Sequence, residues 1–219
     1  MENALPIPTE KKAVFAKVRE FVENYMSAYD SSHDWSHIQR VTSNGLRIFL
    51  GEKEINPWFT ESLDPTAIFM GCLMHDVGDH KYVTGVPNPN EISDALVSLG
   101  VDAQLAMKVQ EIGTWVSYSK EAKDPETSHA MLKKHPELRI VQDADRLDAI
   151  GAVGVGRCFT YHGAKGTGSM QYSIDHYDEK LLKLETMMKT ETGTKLARER
   201  TGVLRMIKEA WEKETELAF

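Results

Sequence analysis

Cysteine is scarce. The 219 residues hold two, Cys72 and Cys158, and no Cys-x-x-Cys pair. That excludes a disulfide scaffold and leaves a redox centre or zinc knuckle without ligands. Both cysteines sit among apolar or small neighbours, as buried thiols in a reducing compartment do. A basic surplus is also lacking: 26 Lys+Arg face 33 Asp+Glu, a formal charge of -7. A duplex-binding surface needs the opposite balance, so no nucleic-acid partner is expected. A small anion in a local pocket remains compatible with global acidity. Long apolar runs are missing, and the longest, Ala67 to Met74, is far too short for a membrane span. No Asn-x-Ser/Thr acceptor occurs, and Met1 to Pro8 carries neither the basic patch nor the apolar run of a leader. The expectation is a chain without membrane contact, in the cytoplasm, with the nucleus as alternative. Alternating strand patterns, repeats and clear linkers are absent as well.

What is present is helical periodicity. Val14, Phe15, Val18, Phe21, Val22 and Tyr25 recur at steps of three and four. Thr9 is a candidate cap for that helix. A second helix is predicted from Asp34, carrying Trp35, Ile38, Val41, Leu46 and Phe49 and ending near Gly51. Asn56-Pro57 reads as a turn. Asp64-Pro65 is a strong start signal, a capping acid followed by proline at the first helical position. The run Pro65 to Met74 is apolar almost all round, which predicts a central buried helix. Shorter helices are expected over Glu91–Leu99, Asp102 to about Ser117, and Thr127–Lys134, with a polar turn at Lys120–Glu126. Leu138 to Phe159 is helical but interrupted by Gly151, Gly154 and Gly156. Tyr161 to Tyr172, rich in glycine, is expected to be a loop. Two final helices are placed at about 173–216, divided near Lys189–Gly193. The fold class is therefore all-α: one helical bundle over residues 1–219, with eight or more helices and a motif-bearing core of about 33–151.

Five polar placements stand out: His37, His75, Asp76, Asp79 and Asp145. His75 and Asp76 end the buried helix, and both can lean toward an ion at its shoulder. Asp79 lies on the same side if one more helical turn follows. Asp143, Asp145 and Asp148 cannot all face solvent while Ala144, Leu147 and Ile150 pack inward, so one carboxylate is expected to point into the protein. An inward carboxylate needs a cation or a donor. Two imidazoles with two carboxylates suit a first-row divalent ion or magnesium and disfavour calcium. Taken singly, each residue also has an ordinary role. The His-Asp pair can be a cap or a hydrogen-bonded couple, and Asp145 can accept from Arg146 or Arg157.

Three segments resemble the HD superfamily of metal-dependent phosphohydrolases: His33-Asp-Trp-Ser-His37-Ile-Gln-Arg-Val41, Leu73-Met-His-Asp-Val-Gly78, and Val141-Gln-Asp-Ala-Asp-Arg-Leu-Asp-Ala-Ile150. They occur in the family's order and cover more than half of the chain. The resemblance implies an all-α HD-type bundle, with His37, His75, Asp76 and Asp145 as metal ligands. It also implies an acidic catalytic residue at Asp79, where many relatives carry glutamate. Relatives with several metals insert further histidines, and His80, His129 and His135 lie in that interval. Gly78-Asp-His-Lys81 and the run from Asp143 to Gly151 are similar to a compact subgroup whose bacterial members resemble nucleoside triphosphate pyrophosphohydrolases and whose many other members are predicted hydrolases, a resemblance that implies the reaction class more than the substrate.

The activity implied is hydrolysis of nucleoside or deoxynucleoside triphosphates to monophosphate and pyrophosphate. The alternatives are hydrolysis of nucleoside monophosphates or cyclic nucleotides, and a non-catalytic module in which a metal only ties helices together. Manganese or magnesium is the favoured cofactor, with cobalt, nickel, iron or zinc also compatible. The partner expected is a small phosphorylated molecule, most simply a nucleotide. Its phosphates are expected to meet Lys81 first, then His33, His80, Arg146, Arg157, Tyr161 and His162. For Arg146 the competing expectation is a salt bridge with an acid such as Asp143. Asp34 is either a helix cap or an acceptor for a ligand histidine. Trp58-Phe59 and the apolar positions of the last helices can form a homodimer surface or complete the monomer core.

Overall fold

The computed structural model describes residues 1–27, 34–78, 88–166 and 168–217. Among these the chain forms twelve α-helices and no strand. In order they are α1 (Lys12–Met26), α2 (Trp35–Ile55), α3 (Pro57–Glu61), α4 (Pro65–Met74), α5 (Glu91–Ser98) and α6 (Ala103–Val116). Then follow α7 (Tyr118–Lys123), α8 (Pro125–Lys134), α9 (Leu138–Asp148), α10 (Gly151–Lys165), α11 (Met170–Glu179) and α12 (Glu191–Glu214). Tight 3-10 turns occupy Thr9–Lys11 and Leu181–Met187.

The start signals act as expected where an acid precedes proline. Asp64 accepts from Thr66 N at 2.8 Å, with Pro65 in the first turn, and α4 begins there. Every residue of α4 from Thr66 to Met74 is buried. Helices α1, α2, α6 and α9 pack around it. Its start is tied to the start of α9, because Glu137 Oε1 accepts from Asp64 N at 2.9 Å and from Lys108 Nζ at 2.6 Å. Asp34 caps α2, accepting from His37 N at 3.1 Å. Asn44 Nδ2 of α2 donates to the Ala144 carbonyl oxygen of α9 at 3.1 Å, and α2, α4 and α9, which pack against one another, carry the conspicuous polar residues.

Several expectations are corrected. Gly51 does not end α2, which runs on to Ile55. A Cβ there would lie 2.6 Å from the Thr192 side chain, so glycine admits the start of α12 rather than stopping a helix. Thr9 gives no side-chain cap to its 3-10 turn, which leads directly into α1. Pro57 opens α3 after an Asn56 cap, and Lys120 lies in α7 rather than in a turn. Of the three glycines after Asp148, only Gly151 breaks the helix, at φ +76°. Gly154 and Gly156 lie within α10, which continues through Tyr161 and His162 to Lys165. The long glycine-rich loop is thus reduced to a short connection before α11. The segment after α11 tightens into a 3-10 turn instead of extending one helix. Ala197 and Leu204 on α12 are buried and complete this chain's own core, while Trp58 is 62% exposed. No described helix is long and apolar enough to cross a membrane.

Candidate metal centre

Three helices deliver the cluster. His37 comes from the first turn of α2, His75 and Asp76 from the end of α4, and Asp145 from α9. One ligand atom each from His37, His75 and Asp76 lies within 4.8 Å of the others. His37 Nε2 is 3.2 Å from His75 Nε2 and 3.2 Å from Asp76 Oδ2. Asp76 Oδ1 is 3.5 Å from His75 Nε2. Asp145 Oδ1 lies 3.7 Å from His37 Nε2 and 3.6 Å from His75 Nε2. All four residues therefore converge, although Asp145 is 70 positions from His75 in the chain.

The other nitrogen of each imidazole decides what this convergence can hold. His37 Nδ1 lies 2.8 Å from Asp148 Oδ2, and His75 Nδ1 lies 3.0 Å from the Cys72 carbonyl oxygen. A carboxylate and a carbonyl only accept, so both Nδ1 atoms donate. In the neutral rings both Nε2 atoms then present lone pairs, facing one another beside two carboxylates. Such an arrangement demands positive charge at its centre, either a proton or a cation. Burial opposes protonation of His75, but the charges of Asp76 and Asp145 outweigh it and raise its pKa to about 9. Burial alone would raise the Asp145 carboxyl, and the nearby His75 and His37 rings hold it well below the usual range. The donor set of two nitrogens and two carboxylates fits a divalent first-row ion or magnesium.

Asp148 is the acceptor that the sequence reading did not assign. It is 1% exposed and accepts from Arg40 Nε at 2.8 Å and Arg157 Nη1 at 3.1 Å as well as from His37. Burial would raise its pKa, but its bonds to His37 and Arg40 lower it. Asp143 is also inward, at 0% exposure, with a different task. It accepts from Lys189 N and from both Thr190 N and Thr190 Oγ1, holding the approach to α12. So all three acids of this segment point inward, Asp143 and Asp148 as well as Asp145, where one inward acid was expected.

Of the residues expected to meet phosphate, Arg157 lines a cavity of about 130 Å³ at the cluster, together with Tyr118 and Lys180. Lys180 Nζ lies 5.2 Å from the centre of the Tyr118 ring. Arg146 also borders this space, but its guanidinium is committed to Glu121 and, at 2.7 Å, to the Met187 carbonyl oxygen. Its acid is Glu121, not Asp143. His162 is buried, pairs with Ser173 Oγ at 2.9 Å, and does not line this cavity; neither does Tyr161. His129 is exposed on α8, and His135 pairs with Glu111, so neither joins the cluster. His33, Asp79, His80 and Lys81 lie outside the described residues. A second recess of about 690 Å³ adjoins the cluster through His75, Gly113, Ser117 and Ser119, and is lined further by Gln110, Lys120 and Lys123. Sequence spacing gave no hint of Lys180, because α10, α11 and a tight turn must fold back before it faces the cluster.

An all-α bundle that gathers two histidines and two aspartates from three helices is suited to a divalent metal, and the family to which the chain belongs makes the class a metal-dependent phosphohydrolase in general terms. The HD domain model matches residues 34–150, more than half of the chain, and the chain belongs to the HD domain family. It is 38% identical over 191 residues to the uncharacterised protein YpgQ of Bacillus subtilis, covering 84% of this chain and 85% of that one. The crystal structure of Bacillus subtilis YpgQ in complex with ADP is similar with a TM-score of 0.69 at 33% identity, over 91% of this chain and 97% of that one. An HD-superfamily hydrolase from Bacillus thuringiensis is similar with a TM-score of 0.64 at 30% identity, over 94% and 98% of the respective chains.

Proposed function

We propose that the chain hydrolyses nucleoside or deoxynucleoside triphosphates at the α-phosphorus, giving monophosphate and pyrophosphate. The metal in this reading is held by His37, His75, Asp76 and Asp145, with manganese or magnesium favoured. The observation that carries the proposal is the pair of facing Nε2 atoms 3.2 Å apart, each ring anchored through its other nitrogen. When bound, the ion polarises a phosphoryl oxygen and lowers the pKa of water. Asp148 and the Cys72 carbonyl hold the two imidazoles in the tautomer that leaves Nε2 free to coordinate. Asp79, four residues after His75, accepts the proton of the attacking water. Arg157 and Lys180 at the cluster, with Lys81, His33 and His80 beside it in sequence, supply cationic or donor groups for the phosphates. The recess toward Lys120 and Lys123 offers room for the remainder of a nucleotide. A relative's structure with ADP supports a nucleotide ligand.

The test is a panel of triphosphates, monophosphates and cyclic nucleotides incubated with the manganese-loaded protein. Pyrophosphate and monophosphate in equal amounts are expected from triphosphates alone. Orthophosphate from monophosphates, or opening of cyclic nucleotides, would replace the proposed substrate while keeping the metal site. Full metal content without turnover of any of them would leave a structural metal instead. Asp79→Asn is expected to retain metal and fold and to lose turnover.

A further inference from the structure

A third cavity, of about 490 Å³, lies on the other side of Asp148 and shares no lining residue with the cavity at the metal cluster. Arg40 and Arg47 of α2 and Arg200 of α12 line it, with Val153 and Val203 forming an apolar part. Two of the three arginines, Arg47 and Arg200, make no ion pair among the described residues. Arg200 is only partly exposed, and its guanidinium donates to neutral acceptors, the Leu147 carbonyl oxygen and Asn44 Oδ1. Arg47 is exposed and makes no ion pair or hydrogen bond among the described residues. Arg40 pairs with Asp148 through two bonds, Nε to Oδ1 at 2.8 Å and Nη2 to Oδ2 at 3.1 Å, and that carboxylate also accepts from His37 and Arg157. Glu199 is the one other carboxylate on the wall among the described residues.

The backbone shapes the same space. Gly151 adopts φ +76°, and a Cβ there would come within 3.1 Å of Arg200 Cγ, so glycine lets the Arg200 stem lie along the start of α10. That start has no side-chain cap. Burial and the charge of Arg47 both work against the Arg200 charge, while Asp148 and Glu199 support it only in part. Positive charge is thus concentrated in a cavity of ligand size within a chain whose formal charge is -7. Planar guanidiniums grouped in this way match the oxygens of a phosphate.

We propose that this cavity binds a phosphorylated organic molecule, its phosphate on Arg40, Arg47 and Arg200 and its organic part against Val153 and Val203. The site is separate from the metal centre and does not depend on the reaction proposed there. Asp148 forms the wall between them, bonded to Arg40 on one side and to His37 on the other.

Calorimetric titration of the full-length, metal-loaded protein with ADP and, separately, with inorganic phosphate tests the idea. Two ADP binding events are expected. Asp145→Ala should remove one and leave the other. Arg47→Glu should weaken the surviving event at least tenfold and leave the metal content unchanged, since Arg47 is exposed and its loss leaves no buried partner. Lys195→Glu, an exposed charge reversal on α12 outside the cavity, should change neither event. A single event that Asp145→Ala abolishes and Arg47→Glu does not alter overturns the proposal. Equal weakening by Lys195→Glu also overturns it, because the attraction is then diffuse charge. Inorganic phosphate binding as tightly as ADP would overturn the organic contact with Val153 and Val203.

Discussion

Asp145 has two possible reasons to be where it is, and one substitution separates them. As a metal ligand it supplies charge that nothing else on α9 provides at that point. Asp145→Ala should then strip most of the metal and reduce turnover by at least a hundredfold, while alanine preserves the helix. Elemental analysis and initial rates measure this, and a mutant with full metal and full turnover removes Asp145 from the centre. Asp148 acts at one remove. Asp148→Asn keeps the size of the side chain but loses the charge shared by His37, Arg40 and Arg157, so metal affinity should fall about 10–100-fold. Competition with a metal-sensitive dye reads that change; unaltered affinity would mean that the His37 ring is positioned without it. The four converging residues were legible in the sequence because the histidine, the His-Asp pair and the later aspartate form an ordered motif. Asp148 was not, since Asp143, Asp145 and Asp148 read alike until their partners are known. Those partners sit far away in the chain, at Lys189 and Thr190 for Asp143 and at Arg40 for Asp148.

Elements were legible where the chain carries its own local signal. The acid-proline start and unbroken apolar face of α4 needed no tertiary information. Gly51 misled because a glycine that ends a helix and one that admits a neighbour look identical in sequence. Gly51→Val should cost about 1–3 kcal/mol, as overpacking against Thr192 forces α12 away from α2. Denaturant unfolding measures it, and an unchanged midpoint would show that Thr192 yields freely. Helix α7 was hidden for the opposite reason: its sequence is polar, and its place is set by Glu121 clasping Arg146 and Lys189. Burial would raise the Glu121 pKa, but Lys189 and Arg146 pull it below its ordinary value of 4.5. A depressed carboxylate stabilises the fold above its unfolded pKa and loses that contribution as pH falls through the folded value. Wild type should therefore exceed Glu121→Gln in stability at neutral pH, with the gap closing as pH falls below about 4.5. Parallel curves of unfolding free energy against pH would refute the clasp.

At the scale of the whole molecule, the centre joins α2, α4 and α9, which also surround the main core. Chelation should lower the melting temperature, and readded manganese should restore it in proportion to the logarithm of its concentration above Kd. The wild type should show this dependence, and the Asp145→Ala protein should lack it. The wide separation of the ligands along the chain has a kinetic consequence. Closing loops of 38 and 70 residues around an ion is entropically unfavourable in an unfolded chain. Apolar docking of α4 with its neighbours must come first, so the ion arrives after the rate-limiting step of refolding. Manganese should therefore leave the refolding arm of a stopped-flow chevron unchanged and slow the unfolding arm, making the ion a latch on an already closed structure rather than a seed for it.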